Sequence, residues 1–115
     1  MHKILIIDDD LLTKKIIDNI ITFQGLPLET RAGDLSYLKR KGRDYSLVFL
    51  SLDIGGLNIF QWIEDHPHKN YILITQYDYF KYAQWALRLG VVDILLKPLD
   101  PLEFIQAVER VFHIF

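Results

Sequence analysis

The opening of the chain constrains its fold more than any other stretch. Ile4-Leu5-Ile6-Ile7 is an uninterrupted apolar run, and it stops at three successive carboxylates, Asp8, Asp9 and Asp10. A run without polar alternation reads as a strand buried on both faces, as in a parallel sheet covered by helices. A helical pattern follows at once, and open α/β sheets place their ligand crevice where such a strand gives way to a helix. Adjacent acids repel unless a cation or a proton partner stands between them. A helix also favours carboxylates in its first turn, which accounts for one acid more easily than for a pair. Asp8 and Asp9 are therefore read as an acidic pocket and a candidate cation site.

The rest of the chain alternates strand and helix patterns. Leu12, Ile16, Ile17, Ile20 and Phe23 recur at helical spacing until Gly25 and Pro27 end the segment. A weak strand is expected at Leu28 to Ala32, then a short polar helix near Leu35 to Lys41 closed by Gly42. Leu47 to Leu50 is a second buried strand. A helix is expected over Leu57 to Glu64, with Phe60 and Ile63 inward, and a strand over Tyr71 to Thr75. The strongest helical pattern runs from Asp78 to Leu89 and is ended by Gly90. Val92 to Leu96 is the last strand, and Pro101 opens a final helix reaching Phe115. Five strands alternating with five helices predict an α/β chain with right-handed crossovers and a parallel sheet covered on both faces.

With 115 residues the chain, 1–115, is expected to be a single domain. It has no internal repeat or linker. A net charge of −2 and the lack of a basic stripe argue against nucleic-acid binding by this domain itself. The absence of cysteine excludes disulfides and thiolate metal sites and fits a reducing compartment. The first apolar stretch is too short for a signal peptide, and no run is long enough to cross a bilayer. The expectation is a soluble, cytoplasmic domain.

In order, Ile4-Leu-Ile-Ile-Asp-Asp-Asp10, Tyr45-Ser-Leu-Val-Phe-Leu50, Ile74-Thr75 and Leu89-Gly-Val-Val-Asp-Ile-Leu-Leu-Lys97-Pro98 carry a resemblance. Together they resemble a response-regulator receiver domain over essentially the whole chain. The stretch from Gln76 to Gln84 onward is similar to receivers that precede AraC-type DNA-binding domains. The resemblance implies a flavodoxin-like or CheY-like doubly wound sheet of five parallel strands, (βα)5, acting in phosphorelay signalling rather than as an enzyme. It also implies roles. Asp8 and Asp9 match the acidic pair that holds magnesium. Thr75 matches the hydroxyl that follows the phosphoryl group. Lys97, before Pro98 in a bond often cis in the family, matches the lysine that pairs with it. An aspartyl phosphate needs such a set: an attacking carboxylate, a hard cation and fixed positive charge.

The centre of that set departs from the pattern. Aligned without gaps, the family's acceptor aspartate falls on Ser51, its Met-Pro pair on Ile54-Gly55 and its Asp-Gly pair on Asn58-Ile59. Sliding the register by two would make Asp53 the acceptor, but would put apolar Val48 where the strand is entered. Ser51 is the preferred match and Asp53 the fallback. A serine without a neighbouring base is a weak nucleophile and adds no charge to a metal site. The aromatic expected three residues before the lysine is Ile94. The pattern therefore predicts a degenerate pocket, with weak magnesium binding and no cofactor required, in which Lys97 faces Asp8 and Asp9 as an ion pair.

Other candidates carry less. His2, His66, His68 and His113 lack ligand spacing, and no histidine is placed to activate Ser51 as in a hydrolase. The Gly55-Gly56 pair lacks a phosphate-binding fingerprint. In the helix from Asp78, Phe80, Ala83 and Leu87 are assigned to the core, and Tyr82, Trp85 and Leu89 to an outward face. The final helix has more apolar positions than one buried stripe needs, including Phe104, Val111 and Phe115. Exposed aromatics are enriched in interfaces, so a protein partner or a homodimer is expected on the last two helices, with no membrane contact. The resulting expectation is a pseudo-receiver acting by protein contact on an output such as transcription. The rivals are a working phosphoacceptor receiver using Asp53 with magnesium, and a flavodoxin-like protein binding a small phosphorylated ligand. The acidic crevice opposes the last.

Overall fold

A computed structural model describes residues 1–68 and 70–114. The expected alternation is present throughout. The strands are β1 (His2–Ile7), β2 (Leu28–Gly33), β3 (Leu47–Ser51), β4 (Tyr71–Thr75) and β5 (Asp93–Leu96). The helices are α1 (Leu12–Gln24), α2 (Leu35–Lys41), α3 (Ile59–Asp65), α4 (Phe80–Leu89) and α5 (Pro101–Phe112), with a short 3-10 turn at Gly42–Asp44. All strand pairings are parallel, in the order β2-β1-β3-β4-β5. This is the CheY-like, doubly wound α/β architecture. Its winding reverses between β1 and β3, where the crevice of such sheets opens.

Strand alternation sorts the apolar residues into two cores. Ile4, Ile6, Leu47, Phe49, Ile72, Ile74 and Leu95 pack against α1 and α5 through Ile17, Ile20, Phe104, Ala107 and Val108. On the other face, Leu5, Ile7, Val48, Leu50, Tyr71 and Leu73 meet α2, α3 and α4 through Leu38, Ile59, Ile63 and Ala86. The continuous apolar runs are thus explained: every residue of β3 and β4 is buried because both faces are covered. Phe49 stacks on Phe104 at 5.4 Å between ring centroids and ties β3 to α5.

Some boundaries shift for local reasons. Helix α3 starts at Ile59 rather than Leu57, since the Asn58 side chain caps it by accepting the Gln61 N–H. Helix α4 starts at Phe80 rather than Asp78, and the loop before it is tied at Gln76 to Asp53, just beyond the end of β3. It ends as expected at Gly90, whose φ of +70° is the left-handed conformation that terminates helices. Helix α5 stops at Phe112, where His113 turns left-handed. Phe115, expected in this helix and at an interface, lies outside the described residues.

The two-faced reading of α4 has to be inverted except at Trp85. Ala86 is buried, and Tyr82 and Leu89 pack against the core under α3 and α4. Trp85 lies edge-on to Phe60 at 5.0 Å, with Tyr82 also against that ring at 5.5 Å. Phe80 and Leu87, assigned to the core, are 77% and 82% exposed, and Ala83 between them is exposed too. The grouping by helical spacing was right, and the side was wrong for every member except Trp85, which is exposed as expected. Phe60 from α3 offers the ring of Tyr82 an aromatic partner, so Tyr82 turns inward, whereas Trp85 touches Phe60 with one edge and stays 38% exposed. Helix α5 is corrected in part: Phe104 is fully buried, and Val111 and Phe112 are half-buried against the core, so its apolar excess is mostly packing.

Candidate functional site

The carboxyl ends of β1, β3, β4 and β5 converge on one crevice. β1 delivers Asp8, β3 ends on Ser51, β4 on Thr75, and β5 is followed by Lys97 and a cis peptide bond to Pro98. The Lys97 N–H donates to the Thr75 carbonyl at 2.8 Å, which sets the lysine beside the β4 terminus.

On the β1 side, Asp8 collects donors. Its Oδ2 lies 2.7 Å from Lys97 Nζ and accepts the Thr13 hydroxyl at 2.6 Å, and its Oδ1 accepts the Asp10 N–H at 3.0 Å. The Asp8 side chain is 4% exposed and that of Lys97 19%. A carboxylate so enclosed must find a counter-charge and further donors, since desolvating an unpaired charge is costly. The expected pairing of Lys97 with Asp8 and Asp9 needs one correction. Its second neighbour is Asp10, at 3.7 Å, whereas Asp9 is exposed and lines an adjoining cleft with Asp34 and Ile54. The turn closed by the Asp10 N–H on Asp8 brings the third acid, not the second, toward the lysine.

On the β3 side, Ser51 is fully buried and its hydroxyl accepts the Asp53 N–H at 3.0 Å. The Asp53 carboxylate leans over the end of β4: the Thr75 hydroxyl donates to Oδ1 and the Gln76 N–H to Oδ2, each at 2.9 Å. The Thr75 hydroxyl also accepts the Tyr77 N–H at 3.1 Å. Burial and then the Asp53 charge hold the Tyr82 phenol above its ordinary pKa.

Magnesium asks for near-octahedral oxygen donors from carboxylates and, commonly, a phosphate. In this structure Asp8 is neutralised by an ammonium and Ser51 is uncharged and sealed. Among the described residues no three acids or histidines cluster around a possible ion. The donor set does not fit a dedicated magnesium cage. The histidines have other work: His66 stacks on Trp62, and His68 Nε2 donates to the carbonyls of Gly42 and Tyr45 while its Nδ1 accepts the Asn70 N–H.

One site residue escaped the sequence reading, and the contact made by another was missed. Thr13 sits at a buried position of α1, and a hydroxyl on a core-facing helical position was a readable sign that a partner waits there. Asp53 was weighed only as an acceptor, not as a ligand of Thr75, and spacing alone offers no sign of that contact.

Comparison with known proteins identifies the family. The family described as "Response regulator receiver domain" matches residues 4–109. The response regulator protein PilR of Pseudomonas aeruginosa is 32% identical over 106 residues, which cover 86% of this chain and 23% of that protein. The transcriptional regulatory protein CpxR homolog of Haemophilus influenzae is 24% identical over 98% of this chain and 51% of its own length. The chain thus spans about half or less of these relatives. The signal receiver domain of a DNA-binding response regulator from Colwellia psychrerythraea superposes with a TM-score of 0.80 at 18% identity, covering 98% of this chain and 99% of that one, and so shares the fold. With a family match spanning most of the chain and strand ends converging as described, this protein belongs to the response regulator receiver domains of two-component signalling.

Proposed function

We propose that this receiver is atypical: it is not phosphorylated, and it acts through constant protein contact on an output such as transcription. One observation carries the reading. Ser51, sealed in β3 with its hydroxyl occupied, stands where the resemblance aligns the acceptor aspartate. A serine without a base does not attack a phosphodonor, and Lys97, which would steady the transferring group, is engaged by Asp8. Magnesium is then not required. The output belongs to a further domain or a separate protein, in the manner of the AraC-type regulators that the α4 region resembles, and the setting is cytoplasmic. Among the described residues no helix is long and apolar enough to cross a membrane.

The contact surface is the exposed stripe of α4, Phe80, Ala83 and Leu87, with the rim of Trp85 beside it. A pocket without phosphate chemistry has no means of hiding and revealing this stripe. Light scattering over a concentration series tests the idea. Self-association is expected to be the same with and without acetyl phosphate and magnesium, and Leu87→Glu should weaken it roughly tenfold or more, as desolvated anchors do. Association that needs the phosphodonor would overturn the reading.

A second reading makes Asp53 the acceptor. Its support is that the carboxylate is half-exposed and already touches Thr75. Against it stands the ammonium of Lys97, within ion-pair distance of Asp8 and Asp10.

A further inference from the structure

We propose that the Asp53 carboxylate is a built-in ligand of the loop joining β4 to α4, filling from within the chain the place where an external anion would bind Thr75 and Gln76. Both carboxylate oxygens are spent on this loop, one on the Thr75 hydroxyl and one on the Gln76 N–H. The loop end of Asp53 is itself anchored, since its N–H is held by the sealed Ser51 hydroxyl. Ser51 is therefore a positioning residue: it fixes the backbone from which Asp53 reaches across to β4.

The grip passes into α4 by contacts that can be followed one at a time. Thr75, held by Asp53, accepts the Tyr77 N–H. The Tyr77 ring stacks on Tyr79 at 5.4 Å, Tyr79 meets Tyr82 edge-on at 5.1 Å, and Tyr82 packs on Phe60 beside Trp85. No side chain caps the start of α4, and the Asp53 bonds tie down the beginning of the loop that leads into it. A carboxylate presents two oxygens to a hydroxyl and an amide much as a phosphoryl oxygen pair would, with charge-assisted bonds on both. The loop is thus held in one arrangement without a modification. This inference rests on the proposed lack of phosphotransfer, and it adds the group that takes over.

Amide hydrogen exchange at Gln76 and Tyr77, with the ring resonances of Tyr77, Tyr79 and Tyr82, reads the tether directly. Asp53→Ala should speed exchange at these amides about tenfold, the factor expected when a charge-assisted hydrogen bond is lost, while leaving β1 and α5 unchanged. Asp53→Asn, which keeps one acceptor oxygen, should fall between. Formate added to Asp53→Ala should restore slow exchange, and chloride at equal ionic strength should not, which a merely structural loss would not permit. Unchanged exchange in both variants, or rescue by chloride as good as by formate, overturns the inference. Its failure is separable from that of the proposed function: a phosphorylated Asp53 sinks the latter, whereas an unmodified protein with an indifferent loop sinks only this tether.

Discussion

The two walls of the crevice each hold a carboxylate, and they hold it differently. Along β1 and β5, Asp8 is nearly sealed and is met by an ammonium, a hydroxyl and an amide. Along β3 and β4, Asp53 is half-exposed and, among the described residues, is met by a hydroxyl and an amide. The contrast follows solvent access. A carboxylate cut off from water needs a full counter-charge, whereas one still wetted is content with neutral donors. The first wall should therefore govern stability and the second the conformation of a loop.

Breaking the first wall should have the largest effect. Lys97→Met leaves Asp8 enclosed without its counter-charge, and a loss of about 3 kcal/mol is expected at neutral pH, slightly discounted because the lysine is not fully buried. For a domain of this size that lowers the thermal midpoint by roughly 10 °C. An unchanged melting curve would show that water, not Lys97, neutralises Asp8.

Thr13→Val removes a hydroxyl from the same carboxylate without touching the charge pair. About 1.5 kcal/mol is expected, typical of a hydrogen bond to a charged acceptor, and urea denaturation would measure it. A cost as great as that of Lys97→Met would mean that the hydroxyl, not the ammonium, satisfies the wall.

Asp53→Ala on the second wall should cost no more than about 1 kcal/mol in the same denaturation, since its partners are neutral and solvent reaches it. A loss matching that of Lys97→Met would erase the distinction between the walls.

These walls also show what the residue pattern could reveal. The parallel sheet was legible because Ile4–Ile7 and Leu47–Leu50 are apolar without interruption, and Tyr71–Ile74 nearly repeats the pattern, as a doubly covered strand requires. The Asp8–Lys97 pair was legible through the family resemblance, which sets both residues at the site. The inward side of α4 was not. Two apolar stripes run along that helix, Phe80–Ala83–Leu87 and Tyr82–Ala86–Leu89, and periodicity cannot choose between them. Phe60, contributed by α3, decides the matter, and it is an element away in the chain. The Asp53–Thr75 contact was hidden likewise, because it spans two strands and a loop.

Magnesium should produce the smallest change. At about 10 mM the ion is expected to stabilise the wild type by less than roughly 0.5 kcal/mol, since Asp8 is already neutralised. Lys97→Met frees that carboxylate, so the same titration on the variant should show the larger shift in melting temperature. A strong effect on the wild type alone would mean the ion displaces the lysine.

Intact mass spectrometry after incubation with acetyl phosphate and magnesium tests the central claim most directly, namely that neither wall accepts a phosphoryl group. The expected result is an unchanged mass for the wild type and for Asp53→Asn alike. A gain of one phosphoryl mass in the wild type, abolished by Asp53→Asn, would contradict it and make Asp53 the acceptor.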